Sequence, residues 1–74
     1  MKARMSDRLA LRGELVPAYE GVIYPDKGVD ETYLTASDLE GADHLEADPA
    51  IEFSRVRLKT GRVYYISRCD ITLC

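Results

Sequence analysis

The stretch 51–67 constrains this chain more than any other. Two runs rich in β-formers, 51–59 and 62–67, flank the dipeptide Thr60-Gly61, and that pattern reads as a β-hairpin. With Thr60-Gly61 as a two-residue turn, Lys59 faces Arg62, Leu58 faces Val63, Arg57 faces Tyr64, Val56 faces Tyr65 and Arg55 faces Ile66. Side chains alternate across a sheet. One face then carries Val56, Leu58, Val63 and Tyr65 and must be the core. The other carries Arg55, Arg57, Lys59, Arg62, Tyr64, Ile66 and Arg68. Ile51 and Phe53 join the core face through a bulge near Ser54.

Upstream, short β-like segments recur between turn residues. Leu9, Leu11 and Leu15 alternate with Ala10, Arg12 and Glu14, which predicts a first strand bent at Gly13 and ended by Pro17. A second strand over 19–24 closes in the turn Pro25-Asp26-Lys27-Gly28, and a third covers 32–35. Ser37-Asp38-Leu39-Glu40 has the form of a capping box, but Gly41 limits it to one helical turn. Residues 41–50 read as an acidic loop, and 70–73 add a short last strand. Strands at this spacing with almost no helix predict a small five-stranded antiparallel β-barrel with one short helical turn. Residues 1–7 lack an apolar period and are expected to be flexible, leaving 8–74 as one small barrel domain.

A chain of 74 residues has room for one domain, and 46% hydrophobic residues exclude a wholly disordered tail. No apolar run approaches the length of a membrane span or an export signal, so a cytoplasmic protein with no membrane partner is expected. Charge is segregated. Residues 1–25 carry Lys2, Arg4, Arg8 and Arg12 against Asp7, Glu14 and Glu20, net +1. Residues 26–52 carry Lys27 against nine acids, net -8, and residues 53–74 carry five cations against Asp70, net +4. An acidic middle and a basic end imply a charged partner for one face.

Chemistry is sparsely marked. Cys69 and Cys74 read as free thiols rather than a disulfide framework, with Cys69 on the core parity, and a zinc site would need more ligands than His44 adds. His44 reads as solvated in its acidic loop. Asp26, Asp30 and Glu31 lack the pattern of a calcium loop, and Ser37 lacks a base, so no metal, no cofactor and no enzymatic activity are expected.

Residues 21–53 resemble the cold-shock domain. Gly21-Val22-Ile23-Tyr24-Pro25-Asp26 is followed in step by Gly28, Asp30, Tyr33, Leu34 and Ser37, then by a shortened loop and Ile51-Glu52-Phe53. The resemblance implies a five-stranded OB-type barrel that binds single-stranded RNA or DNA. The family's stacking positions depart from the pattern. The two second-strand aromatics are Glu20 and Val22, and the third-strand Phe, His and Phe are Tyr33, Thr35 and Ala36. Tyr33 survives, with Tyr24 substituting beside it. Stacking contributes about 1–3 kcal/mol per base, so this loss is large.

Two functions follow as expectations. The first is a cold-shock-like regulator that binds single-stranded RNA or DNA, as a monomer or weak dimer, through Tyr24, Tyr33, Arg55, Arg57, Lys59, Arg62, Tyr64 and Arg68. The second is a protein-binding regulator or inhibitor of the kind made by phages and mobile elements. It would dock on a basic protein surface through Asp38, Glu40, Asp43, Glu46 and Asp48.

Overall fold

The computed structural model describes residues 1–20, 30–48 and 52–73. In chain order the elements are β1 (Lys2–Met5), α1 (Asp7–Arg12), β2 (Val16–Glu20), β3 (Asp30–Leu34), α2 (Ala36–Leu39), β4 (Ala42–Asp48), β5 (Phe53–Arg57), β6 (Val63–Ser67), a 3₁₀ turn (Arg68–Asp70) and β7 (Ile71–Leu73). The strands form one antiparallel sheet in the order β3-β2-β6-β5-β4-β1-β7. The sheet is open and seven-stranded, which corrects the expectation of a five-stranded barrel. The small, predominantly antiparallel β architecture is as expected.

The sheet is nonetheless strongly curled. Laid flat, β3 and β1 would stand about 24 Å apart at the usual strand spacing. Yet α2, a helix only about 6 Å long, touches both of them. Leu39 on α2 is 0% exposed and lies in the buried cluster with Val16, Val56 and Ile66. The concave side is therefore the core, and α2 fills the gap between β3 and β1. A capping box fixes α2: the Thr35 hydroxyl accepts from the Asp38 amide, and the Thr35 amide donates to Asp38 Oδ2 at 2.9 Å. One helical turn was expected here, with its cap two residues later.

Three segments differ from expectation. Residues 2–5 are not a frayed end but an interior strand between β4 and β7, with Ala3 and Met5 buried. The supposed first strand is a helix, α1. Its run Arg8-Leu9-Ala10-Leu11-Arg12 consists of strong helix formers, with Asp7 and Arg12 matched to the helix dipole. Gly13 closes it at φ 67°, donating its N–H to the Ala10 carbonyl. Only one side of so short a helix can be buried, so Leu9 is buried while Leu11 is 87% exposed. The expected acidic loop is β4, in which Asp43 and Glu46 sit opposite Arg57 and Arg55 of β5. Such cross-strand charge pairs offset the low β-propensity of Asp and Glu.

Pro17, expected to end a strand, lies inside β2, and β2 pairs with β3 from Val16↔Leu34 to Glu20↔Asp30. Residues 21–24, the Pro25-Asp26-Lys27-Gly28 turn, Ile51 and Cys74 lie outside the described residues.

Truncating the residue that seals the curl should therefore be costly. Leu39→Ala is expected to lower stability by about 2–5 kcal/mol, measured by urea unfolding. Leu11→Ala should stay within about 0.5 kcal/mol of the parent; a comparable loss there would mean that 7–12 is a buried strand after all.

Candidate functional site

The β5–β6 hairpin forms, but with a three-residue tip. The Gly61 amide donates to the Leu58 carbonyl at 2.9 Å, and the Leu58 amide donates to Arg62 at 2.8 Å. Gly61 sits at φ 96°, as the last loop residue of such a turn requires. The pairs are consequently Arg57↔Val63, Val56↔Tyr64, Arg55↔Tyr65 and Ser54↔Ile66. This is one residue away from the expected register, and the shift turns every side chain of β6 over. Tyr64 (6% exposed) and Ile66 face the core, while Val63 and Tyr65 face outward.

The basic face read from the sequence is thereby dismantled. Arg55 and Arg57 remain on the outer face of β5. Arg62 shares the inward parity of Tyr64 and reaches the Glu20 carboxylate at 3.1 Å from the mouth of the curl. Hydrogen bonding to Tyr64 and the charges around it raise the Arg62 pKa above its ordinary value. The Lys59 stem lies against Gly41 at the hairpin tip, and Arg68 leaves the sheet in the 3₁₀ turn. Tyr24 falls outside the described residues.

The register assembles a different surface. Directly paired residues share a face, so Glu31, Tyr19, Tyr65, Arg55 and Glu46 form one row across β3, β2, β6, β5 and β4. Two residues along, Tyr33 and Phe53 join the same outer face. Tyr19 is 8% exposed and meets Phe53 edge-on, ring centroids 5.9 Å apart. It is the floor of the patch. Tyr33, 55% exposed, stands proud of it, with Tyr65 and Phe53 half-buried beside it.

Glu31 ties two of these rings together. The Tyr33 hydroxyl donates to Glu31 Oε1 at 3.1 Å, and that bond with the carboxylate charge raises the Tyr33 pKa. Burial raises the Tyr19 pKa, and a hydrogen bond to Glu31 adds to it. Both phenols are thus held neutral beyond the ordinary value of 10.0.

The acids proposed for a protein partner are largely engaged within the chain. Asp43 accepts from Lys2 Nζ at 2.8 Å and from Arg57 at 3.3 Å, and Glu46 accepts from Arg55 at 3.3 Å. Lys2 first, then Arg57, holds the Asp43 carboxyl below its ordinary value, and the Thr35 backbone does the same for Asp38. Glu40 is exposed at the end of α2, and Asp48 pairs through its backbone with Phe53 at the end of β4. A bulge between His44 and Glu46 matters here. Without it Glu46 would stand opposite Ser54 and turn inward.

His44 is not solvated as expected. It is half-buried opposite Val56, its amide bonded to the Met1 carbonyl, and its Nε2 is buried with no hydrogen-bond partner in the structure. Cys69, expected on the core parity, is an exposed free thiol. Among the described residues no group of three or more His, Cys, Asp or Glu side chains could hold a metal ion. No helix among them is long and apolar enough to cross a membrane.

Tyr65 is the outward ring that the two-residue turn conceals, while Phe53 is hidden by the expected bulge near Ser54, which assigns it to the core. The signal was present. A two-residue turn would demand positive φ at Thr60, which a β-branched residue resists, whereas a three-residue tip places that strain on Gly61 alone.

Two titrations check this geometry. In Glu31→Gln the phenols lose the charge that keeps them protonated, so ultraviolet titration should show Tyr33 ionising at lower pH than in the parent. An unchanged curve would contradict the Tyr33–Glu31 bond. For Asp43 and Asp38 the folded-state pKa is lowered, so their contribution to stability is present above the ordinary value of 3.8 and is lost as pH falls through the folded value. Unfolding of D38N/D43N should accordingly depend less on pH below 3.8 than that of the parent. No family model, curated protein or solved structure matches the chain.

Proposed function

We propose that this protein is a small non-catalytic binding domain that takes single-stranded RNA or DNA on the outer face of β3, β2, β6 and β5. One observation carries the reading: the register gathers Tyr33, Tyr65 and Phe53 over a Tyr19 floor, with Arg55 and Arg57 along the rim. Bases stack on aromatic faces whatever their sequence, and guanidinium groups meet the phosphates between them. The resemblance of 21–53 to the cold-shock domain supports the same class of ligand on a face of related make-up. The OB-type barrel of that family belongs to this reading too, here as an opened and curled sheet.

Net charge is -3, so attraction to the phosphate backbone is weak and stacking supplies most of the affinity. With Arg55 and Arg57 as the two rim cations among the described residues, the salt slope should reach about -1.4, two phosphates' worth for a single strand. Docking through the acidic surface has less in its favour. Beyond the two arginine pairs that either ligand must open, Asp43 would have to release Lys2 and Asp38 the Thr35 cap.

The test is chemical-shift mapping with a short oligothymidylate at low salt. Resonances of Tyr33, Phe53, Arg55 and Tyr65 should move, while those of Lys59 to Gly61 and of β7 stay in place. Tyr33→Ala should weaken binding about tenfold, since one stacked base contributes about 1–3 kcal/mol. An unperturbed spectrum would remove nucleic acid as the ligand.

A further inference from the structure

The rim arginines are not idle in the free protein. Arg55 Nη1 lies 3.3 Å from Glu46 Oε1, and Arg57 Nη2 lies 3.3 Å from Asp43 Oδ2. Asp43 and Glu46 are three residues apart in sequence, a spacing that would put them on opposite faces of a regular strand. The bulge between His44 and Glu46 corrects the phase, so both carboxylates come to the outer face opposite the two arginines. Re-aiming one side chain is a recurrent use of such bulges.

We propose that Asp43 and Glu46 act as built-in competitors for the ligand's phosphates, occupying Arg57 and Arg55 until a strand displaces them. This inference rests on the nucleic-acid reading above and deepens it by naming residues that set selectivity. The pairs lie at the surface, their arginines 49% and 40% exposed, and solvent screening keeps such exposed pairs weak. A polymer that presents two phosphates while its bases stack can therefore exchange with both carboxylates. A single free phosphate, with no base to stack, gains too little to do so. The acids thus raise the threshold for small anions while leaving strands able to bind. Lys2 keeps Asp43 in place when Arg57 swings away, so the exchange does not leave that carboxylate without a partner.

The experiment compares labelled oligothymidylate binding to the parent, to D43N/E46Q and to E14Q/E40Q, which makes the same change in net charge away from the rim. D43N/E46Q should bind about fivefold to tenfold more tightly than the parent, as expected for releasing two exposed pairs. E14Q/E40Q should change affinity less than twofold. Glu46→Gln alone leaves the Lys2–Asp43 contact intact and guards against a folding defect, and it should gain about threefold. Inorganic phosphate should compete measurably with the oligonucleotide only in D43N/E46Q. Equal affinities for parent and both rim variants, with the parent binding, would overturn this inference and leave the nucleic-acid reading standing. The same increase in E14Q/E40Q as in D43N/E46Q would also overturn it. No binding by any of the four proteins would remove both.

Discussion

A single turn residue decides which side of this sheet meets water. Gly61 accepts the positive φ that closes a three-residue tip, and the tip sets Arg57 opposite Val63. Because side chains alternate with a period of two, that register sends Tyr64 and Ile66 inward and Tyr65 outward together. A tip one residue shorter would bury Tyr65 and strand Tyr64 in solvent. The packing of Ile66 against Val16, Val56 and Leu39 then depends on the same choice. So does the aromatic outer face, whose middle ring is Tyr65.

Charge follows the register as well. Along the sequence the acids of the middle and the cations of the end look like two separate patches, each inviting a partner of opposite sign. Antiparallel pairing of β4 with β5 folds one onto the other: Asp43 meets Arg57 and Glu46 meets Arg55. Lys2 of β1 completes the array from the other side of β4. What remains on the outer face is close to neutral and mainly aromatic.

The parts legible beforehand are those whose side chains alternate cleanly or whose turns carry Gly: β3, β5, β6, β7 and the one-turn α2. The missed parts fail for physical reasons. β1 has four residues, too few for a period to show, and depends on partners from the far end of the chain. α1 contains leucines at alternate positions that mimic a strand, yet only Leu9 packs, and the cap at Gly13 was the truer signal. β4 is rich in residues that avoid strands and is stabilised by arginines that local sequence does not reveal. Of the candidate site, the alternation along β5 alone places Arg55 and Arg57 on the outer face, as the sheet has them. For Tyr64 alternation does not suffice, because its face hangs on one residue of loop length.

The position of β1 bears on how the protein can be made. Ala3 pairs with Leu73, so β1 must wait for β7 before its neighbourhood in the sheet is complete. Contacts so distant in sequence are slow to close, and until they do Ala3 and Met5 lie open to proteases and to other nascent chains.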